Sequence, residues 1–483
     1  MRAKTLFAAA LLILSAPILA HPGEKLAEHP DFKDAVTVFD LWVEQHITHR
    51  DLPGLSIAVI SDQDIVWSKG YGFSDLEQRI PATPSTVYRI GSITKLFTST
   101  AILQLRDAGK LRLDDPVSLH IPWFEVPNPS PDAPEITILQ LLTHTSGLSR
   151  EADFPYWTDH VFPTRDELAA SVPEQLALNP PESTYHYSNL GMSLLGEIVT
   201  RVSGQPWAEY VQTHILDPLA MESSSSAPGE ALLERLATAY LIEDGDGNRE
   251  VMEYYDAGAI APAGAIVSTV EDLGRFASLQ FRDGPAGGSQ ILKGSTLREM
   301  HRPHWLYPSW TAGMGLGFRV SHRDGKVFVG HGGSIGAHVT NLLTVPSEKI
   351  AVVVAINADN GSPYTVASQA YSVFGPAIVE ATRKPAPPKA PADPAWQRFV
   401  GLYQDPWGWE YRVLILDDEL VMYGYDYPPW ENASTGYSTL TPVDGTTFKR
   451  PNKELVIFEL DDNGEVIRIK RNNNYLFPKE DYR

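Results

Sequence analysis

The sequence predicts an α+β domain, an antiparallel sheet flanked by helices with a helical lobe, followed by a small all-β barrel. Three observations carry this expectation. Strand patterns stand at both ends of residues 55–356 with helical patterns between them, which brings the two ends into one sheet. A Pro-rich run, 384–394, then reads as a semi-rigid linker. Beyond it, short alternating apolar runs separated by turn residues replace helical spacing altogether.

The elements follow in order. Met1-Arg2-Ala3-Lys4, an apolar run from Leu6 and a small residue, Ala20, before His21 make 1–20 a signal peptide. The apolar run is shorter than the ~20 residues a spanning helix needs, so cleavage and a periplasmic or secreted chain are expected, with no stable membrane span. Residues 24–383 then form the first domain. Phe32, Val36, Phe39 and Val43 have helical spacing, and Leu55 to Ile60 with Ile65 to Tyr71 read as a hairpin. A helix follows Ser92, and a second follows Asn189 and ends at Gly204. Ser268-Thr269-Val270-Glu271 has the capping-box pattern of a third. Gly315 to Val320, Val327 to Gly330, Val339 to Val345 and Ile350 to Ile356 read as successive strands, and Thr365 to Thr382 as a closing helix. Residues 395–483 give about eight short strands.

Composition excludes several functions. The 483 residues are 43% hydrophobic and 20% charged, as in an ordinary globular protein. A net charge of −21 makes a poor nucleic-acid binder. Cysteine is absent, which removes disulfides, thiol catalysis and Cys-based zinc sites together. His46 with His49 and His301 with His304 are short pairs without metal-site spacing, so neither metal nor cofactor is expected.

The chemistry is concentrated in three places. Ser92 lies three residues before Lys95, so both side chains leave one face of the helix. A serine at a helix start is ordinarily an N-cap. Beside an amine that loses its charge when desolvated, it is a nucleophile with a base to hand. The S-x-x-K pair alone is expected about once by chance in a chain of this composition. Tyr187-Ser188-Asn189 sits where a loop enters a helix, and a phenol near a lysine loses its proton more easily. Asn189 offers an amide to position the substrate and Lys95. His331-Gly332-Gly333-Ser334 follows a strand, where glycines permit a close backbone approach.

The order S-x-x-K, Y-x-N, H-x-G, with His144-Thr145-Ser146-Gly147-Leu148 between the first two, resembles the serine β-lactamase-related family. That family includes class C β-lactamases, D-alanyl-D-alanine carboxypeptidases, D-aminopeptidases and certain esterases. The resemblance spans roughly residues 30–382 and implies a β-lactamase/transpeptidase-like fold. It implies Ser92 as acylated nucleophile, Lys95 as its activator, Tyr187 as proton shuttle and the N–H groups of Ser92 and Ser334 as oxyanion donors. The linker and small barrel are similar to peptidases with lipocalin-like tails. The substrate expected is a small or peptide-like molecule cleaved at an amide or ester bond; the oligomeric state is left open. Where the family usually has K-T-G, this chain has His331-Gly332-Gly333. Histidine is mostly neutral at pH 7, so carboxylate recognition should weaken and β-lactam hydrolysis should be poor.

Rival readings are few. Gly332-Gly333-Ser334-Ile335-Gly336 matches the nucleophile elbow G-x-S-x-G, but no acid and no helix pattern follow as that fold demands. A catalytically silent sensor would need a damaged site, and Ser92, Lys95 and Tyr187 are all present. The barrel aromatics Trp407, Trp409, Tyr423, Tyr425, Tyr427 and Trp430 read as core rather than as a ligand pocket. A loop such as Tyr425 to Asn432 could instead cap the cleft.

Overall fold

A computed structural model describes residues 26–479 apart from 128–129, 131, 176, 243, 245–247, 284–288, 384–390, 417 and 425–436. The expected signal peptide, most of the linker and the segment Tyr425 to Asn432 with its three aromatics lie outside the described residues. The chain divides into two compact units between Arg383 and Lys384.

The first unit is built on a nine-stranded antiparallel sheet. In chain order its strands are β1 (Gly54–Ser61), β2 (Asp64–Asp75), β3 (Ile80–Pro81), β4 (Trp305–Leu306), β5 (Ala312–Met314), β6 (Arg319–Arg323), β7 (Lys326–Ile335), β8 (His338–Val345) and β9 (Ile350–Ile356). They lie side by side as β3-β2-β1-β9-β8-β7-β6-β5-β4. Leu55 to Ser61 pair with Ile356 to Ile350, so the first and last long strands are neighbours, as the pattern at the two ends predicts. Every residue of β9 is buried, because both faces of the sheet are covered.

Helix α1 (Pro30–Arg50) packs with the closing helix, Pro363–Thr382, on one face. Phe32 and Phe39 place their rings 5.5 and 5.4 Å from Phe374 there. The other face carries α2 (Thr94–Asp107), α3 (Asn189–Ser203) and α4 (Val270–Leu279). Phe97 of α2 stacks on Phe276 of α4 at 4.2 Å. Ser188 caps α3, its Oγ accepting from Gly191 N at 2.8 Å, and Gly204 closes it at φ 78°.

Three local expectations are corrected. The cap of α4 is Thr269, accepting from Asp272 N at 3.1 Å, rather than Ser268, which is drawn into a two-residue strand with Tyr88. The run Gly315 to Val320 is split, because Gly317 turns the chain at φ 82° between β5 and β6. The segment His331 to Ser334 does not follow a strand but lies inside β7. Ser334 is therefore on a strand with no elbow, which disposes of the G-x-S-x-G match.

The second unit is a nearly closed nine-stranded antiparallel barrel, one strand more than the spacing predicts. Its two edge strands, Tyr437–Thr439 and Thr441–Pro442, are separated in the chain by Leu440 alone. Phe399, Phe448 and Phe458 fill its centre, Phe399 stacking on Phe458 at 4.3 Å. Trp407 and Trp409, expected in that core, are 85% and 49% exposed on a turn, because Asp405 Oδ1 accepts both their N–H groups and folds the turn outward. No helix among the described residues is long and apolar enough to cross a membrane.

Candidate active site

Ser92 is not an N-cap. It lies in a 3-10 turn, Gly91–Ile93, that runs straight into α2, and its side chain makes no cap bond. Gly91 makes that turn possible, with φ at 50° and a Cβ here falling 2.6 Å from Ser334 N. β7 approaches from the other side by the same device. A Cβ on Gly333 would lie 1.9 Å from Ile90 O and 2.5 Å from Thr340 Oγ1. Two glycines thus let the strand touch the backbone that carries Ser92.

Lys95 is fully buried. Its Nζ bonds Ser92 Oγ at 2.9 Å and Ala263 O at 2.8 Å. Loss of water holds its pKa well below the ordinary 10.5; Glu151 opposes the shift, and Arg150 and Arg319 add to it. Burial thus favours the free amine, whose lone pair can take the serine proton.

Tyr187 completes the cluster. Its ring lies 4.9 Å from Lys95 Nζ, and the Ser92 side chain is near enough to lower its pKa. The expectation that lysine would acidify this phenol is overturned. Burial pushes Tyr187 up to about 12, against weaker pulls from Ser92, Arg319 and Arg150. The reason is burial, which disfavours the charged phenolate. Tyr187 therefore rests protonated.

The pH dependence follows from these two groups. Free-base Lys95 is the competent form, so kcat/KM for acylation is expected to fall as pH drops through its lowered pKa. On the alkaline side the profile should stay flat until Tyr187 ionises towards about 12. A rising limb near the ordinary lysine value of 10.5 would show that the amine is charged in the site.

Asn189 does not reach Lys95, whose two bonds go elsewhere. Its Nδ2 donates to Glu151 Oε1 at 2.6 Å, and Tyr156 donates to Glu151 Oε2 at 2.6 Å. Arg150 Nε lies 3.2 Å from the same Oε1. A carboxylate only accepts, so Glu151 fixes the amide's orientation and leaves Asn189 Oδ1, buried and unpartnered among the described residues, as a free acceptor. Sequence reasoning missed Glu151; its position three residues after Leu148 was the one available signal.

His331 is buried and held down to about 3, by burial first and with Arg319 adding to it. Its Nδ1 donates to Gly332 O at 2.6 Å, which leaves Nε2 as an acceptor. It is a neutral group at any working pH. His144 is a brace. Its Nδ1 accepts from Ser188 N at 3.1 Å, its carbonyl accepts from His186 N at 2.8 Å, and its ring lies 4.4 Å from Tyr187.

A cleft of about 740 Å³ opens over these groups, lined by Ser92, Tyr187, His331 to Ser334 and two residues that motif spacing gave no reason to choose, Arg150 and Arg319. Arg319 is exposed on β6, and its guanidinium lies 6.0 Å from the Tyr187 ring. It pairs with Gly330, the last residue of β7 that β6 covers; His331 to Ile335 have β8 on one side and no β6 partner on the other. Arg150 and Arg319 thus bring two guanidinium groups to the cleft that His331 lines.

A family model described as Beta-lactamase matches residues 39–371, a span that holds every residue of this site. The chain belongs to the beta-lactamase family. It is a serine hydrolase with that family's fold. Among this beta-lactamase family member's relatives, penicillin-binding protein 4 of Amycolatopsis lactamdurans is 30% identical over 326 residues, 64% of this chain and 82% of its own. The octameric penicillin-binding protein homologue from Pyrococcus abyssi superposes with a TM-score of 0.62 at 26% identity, over 91% of this chain and 99% of that one. A D-stereospecific amidohydrolase from Streptomyces sp. gives a TM-score of 0.55 at 25% identity, over 66% of this chain and 93% of its own.

Proposed function

We propose that this hydrolase cleaves amide or ester bonds of peptide-like or small acyl substrates through an ester on Ser92. The observation that carries the reading is the fully buried Lys95, its Nζ 2.9 Å from Ser92 Oγ and its pKa lowered by loss of water. Lys95 takes the hydroxyl proton as the Oγ–C bond forms, and Tyr187 passes a proton to the leaving nitrogen or oxygen. The N–H groups of Ser92 and Ser334 receive the developing oxyanion, each donor contributing about 2.7–4 kcal/mol to the barrier. Water then enters, and the same groups run in reverse to release the acid. Asn189 Oδ1 and His331 Nε2 serve as acceptors for substrate N–H groups, and the uncovered edge of His331 to Ser334 pairs with the substrate backbone.

Mass spectrometry after exposure to a fluorophosphonate or a penicillin tests the reading. The adduct is expected on the peptide carrying Ser92; an adduct elsewhere, with Ser92 unmodified, refutes it. Assays of p-nitrophenyl esters, D-amino-acid amides and nitrocefin side by side then rank amide, ester and β-lactam turnover.

Arg319 gives the cleft a preference for anionic substrates in spite of the acidic chain, since a local cation inside low-dielectric walls outweighs distant charge. Arg319→Gln is expected to raise KM for a carboxylate-ended peptide by about 10–100-fold, the worth of a charged hydrogen bond, and to leave the corresponding C-terminal amide far less affected. An equal effect on both would show that Arg319 does not bind the carboxylate. The Met1 to Ala20 pattern supports a periplasmic or secreted enzyme, and its mature chain would then begin at His21, which intact-mass measurement reads.

A further inference from the structure

A second hollow of about 620 Å³ adjoins the cleft and shares Tyr185, Tyr307 and Arg319 with it. Trp305, Leu306, Pro308 and Trp310 form the rest of its apolar wall. The Tyr185 and Tyr307 rings meet edge to face at 4.8 Å at the seam. Trp310 is the unusual member. It is 79% exposed, and its backbone stands at φ 60°, a region that bulky residues avoid. Its N–H donates to Tyr307 O at 2.9 Å, which holds the turn in that state. Packing explains neither the exposed indole nor the strained backbone, a combination that accumulates at ligand sites.

We propose that this hollow takes the aromatic side chain of the substrate's leaving residue, with the α-carboxylate of that same residue on Arg319. The inference rests on the peptide-like acyl-transfer reading above. An α-carboxylate and a side chain leave one carbon atom, so their sites must adjoin. Arg319 lines both hollows, and among the described residues no carboxylate pairs with it. Flat apolar walls favour a ring, and a space of about 620 Å³ is far more than a methyl side chain fills. A sugar is the rival for an exposed indole. Sugar sites also need groups that bind several hydroxyls in fixed directions; Ser183 and Thr184 supply only single hydroxyls, and no Asp, Glu, Asn or Gln lines this hollow.

Binding to the full chain carrying Ser92→Ala separates this inference from the catalytic reading, because no turnover is required. Isothermal titration with N-acetyl-D-alanyl-D-phenylalanine is expected to give a Kd at least about tenfold below that of N-acetyl-D-alanyl-D-alanine. Adding Trp310→Ala, or separately Tyr307→Ala, should bring the two Kd values within about threefold. Trp310 is exposed, so its replacement does not threaten the fold. Equal affinities in the parent, no binding of either peptide, a preference that survives both substitutions, or displacement of the phenylalanine peptide by N-acetylglucosamine would each overturn the proposal. Adduct formation on Ser92 of the unmodified enzyme, measured alongside, reports on the acyl-enzyme reading by itself.

Discussion

Lys95→Met is expected to slow acylation by about 10²–10⁴-fold, the usual worth of a positioned general base. Methionine nearly matches the volume and apolar stem of lysine, so α2 and its neighbours stay packed. What disappears is the lone pair beside Ser92 Oγ and the bond to Ala263 O. Lys95→Arg should be at least as damaging. A guanidinium keeps its proton at any working pH and cannot accept another. Single-turnover acylation by a chromogenic ester measures the rate, and a melting curve controls for folding. Tyr187→Phe decides the division of labour. Tyr187 rests protonated, so its loss should slow departure of a poor amide leaving group more than that of a p-nitrophenolate, which needs no proton. A fast Lys95→Met enzyme with a dead Tyr187→Phe partner would transfer the base role to the phenol.

Two adjacent glycines are expected to respond very unequally to the same added methyl group. Gly333→Ala should destabilise the protein by about 3 kcal/mol or more and lower kcat/KM by about 10²-fold. The added methyl would lie 1.9 Å from Ile90 O, and Ile90 is two residues before Ser92. Relief requires β7 to back away from the turn that holds the serine, which displaces the Ser334 N–H from the oxyanion position. Gly332→Ala should cost under about 0.5 kcal/mol, because its nearest neighbours, Asn341 Nδ2 and Thr340 O, are both at 3.6 Å. Urea midpoints and kcat/KM for the two variants give the comparison. Equal midpoints would show that close approach to Ile90 is not what Gly333 secures.

Much of the fold was legible because it depends on periodicity. The hairpin of β1 and β2, the helix after Asn189 and the strand Ile350–Ile356 have patterns that hold whatever surrounds them. Errors came where a single residue redirects the backbone. Gly317 turns the chain so that only Arg319 and Val320 of one expected strand are in a strand, and Asp405 turns Trp407 and Trp409 out of the barrel core. At the site, Ser92, Lys95, Tyr187, His331 and Ser334 were all identified from motifs. Glu151, Arg150 and Arg319 were not, because a lone charged residue in a chain with 99 of them has no signature until the fold brings it to a cleft.

The sequence by itself determined the pairing of Ser92 with Lys95, since residues three apart share a face both in an α-helix and in the 3-10 turn that leads into it. It also determined the order of the three motifs, and with them the family. Only the tertiary structure decided how the two groups are shifted. The lowering of Lys95 and the raising of Tyr187 come first from water excluded by the packed fold, and the charges of Arg150 and Arg319 act on both from distant segments of the chain. Desolvation is a property of the assembled surroundings, and no local pattern encodes it.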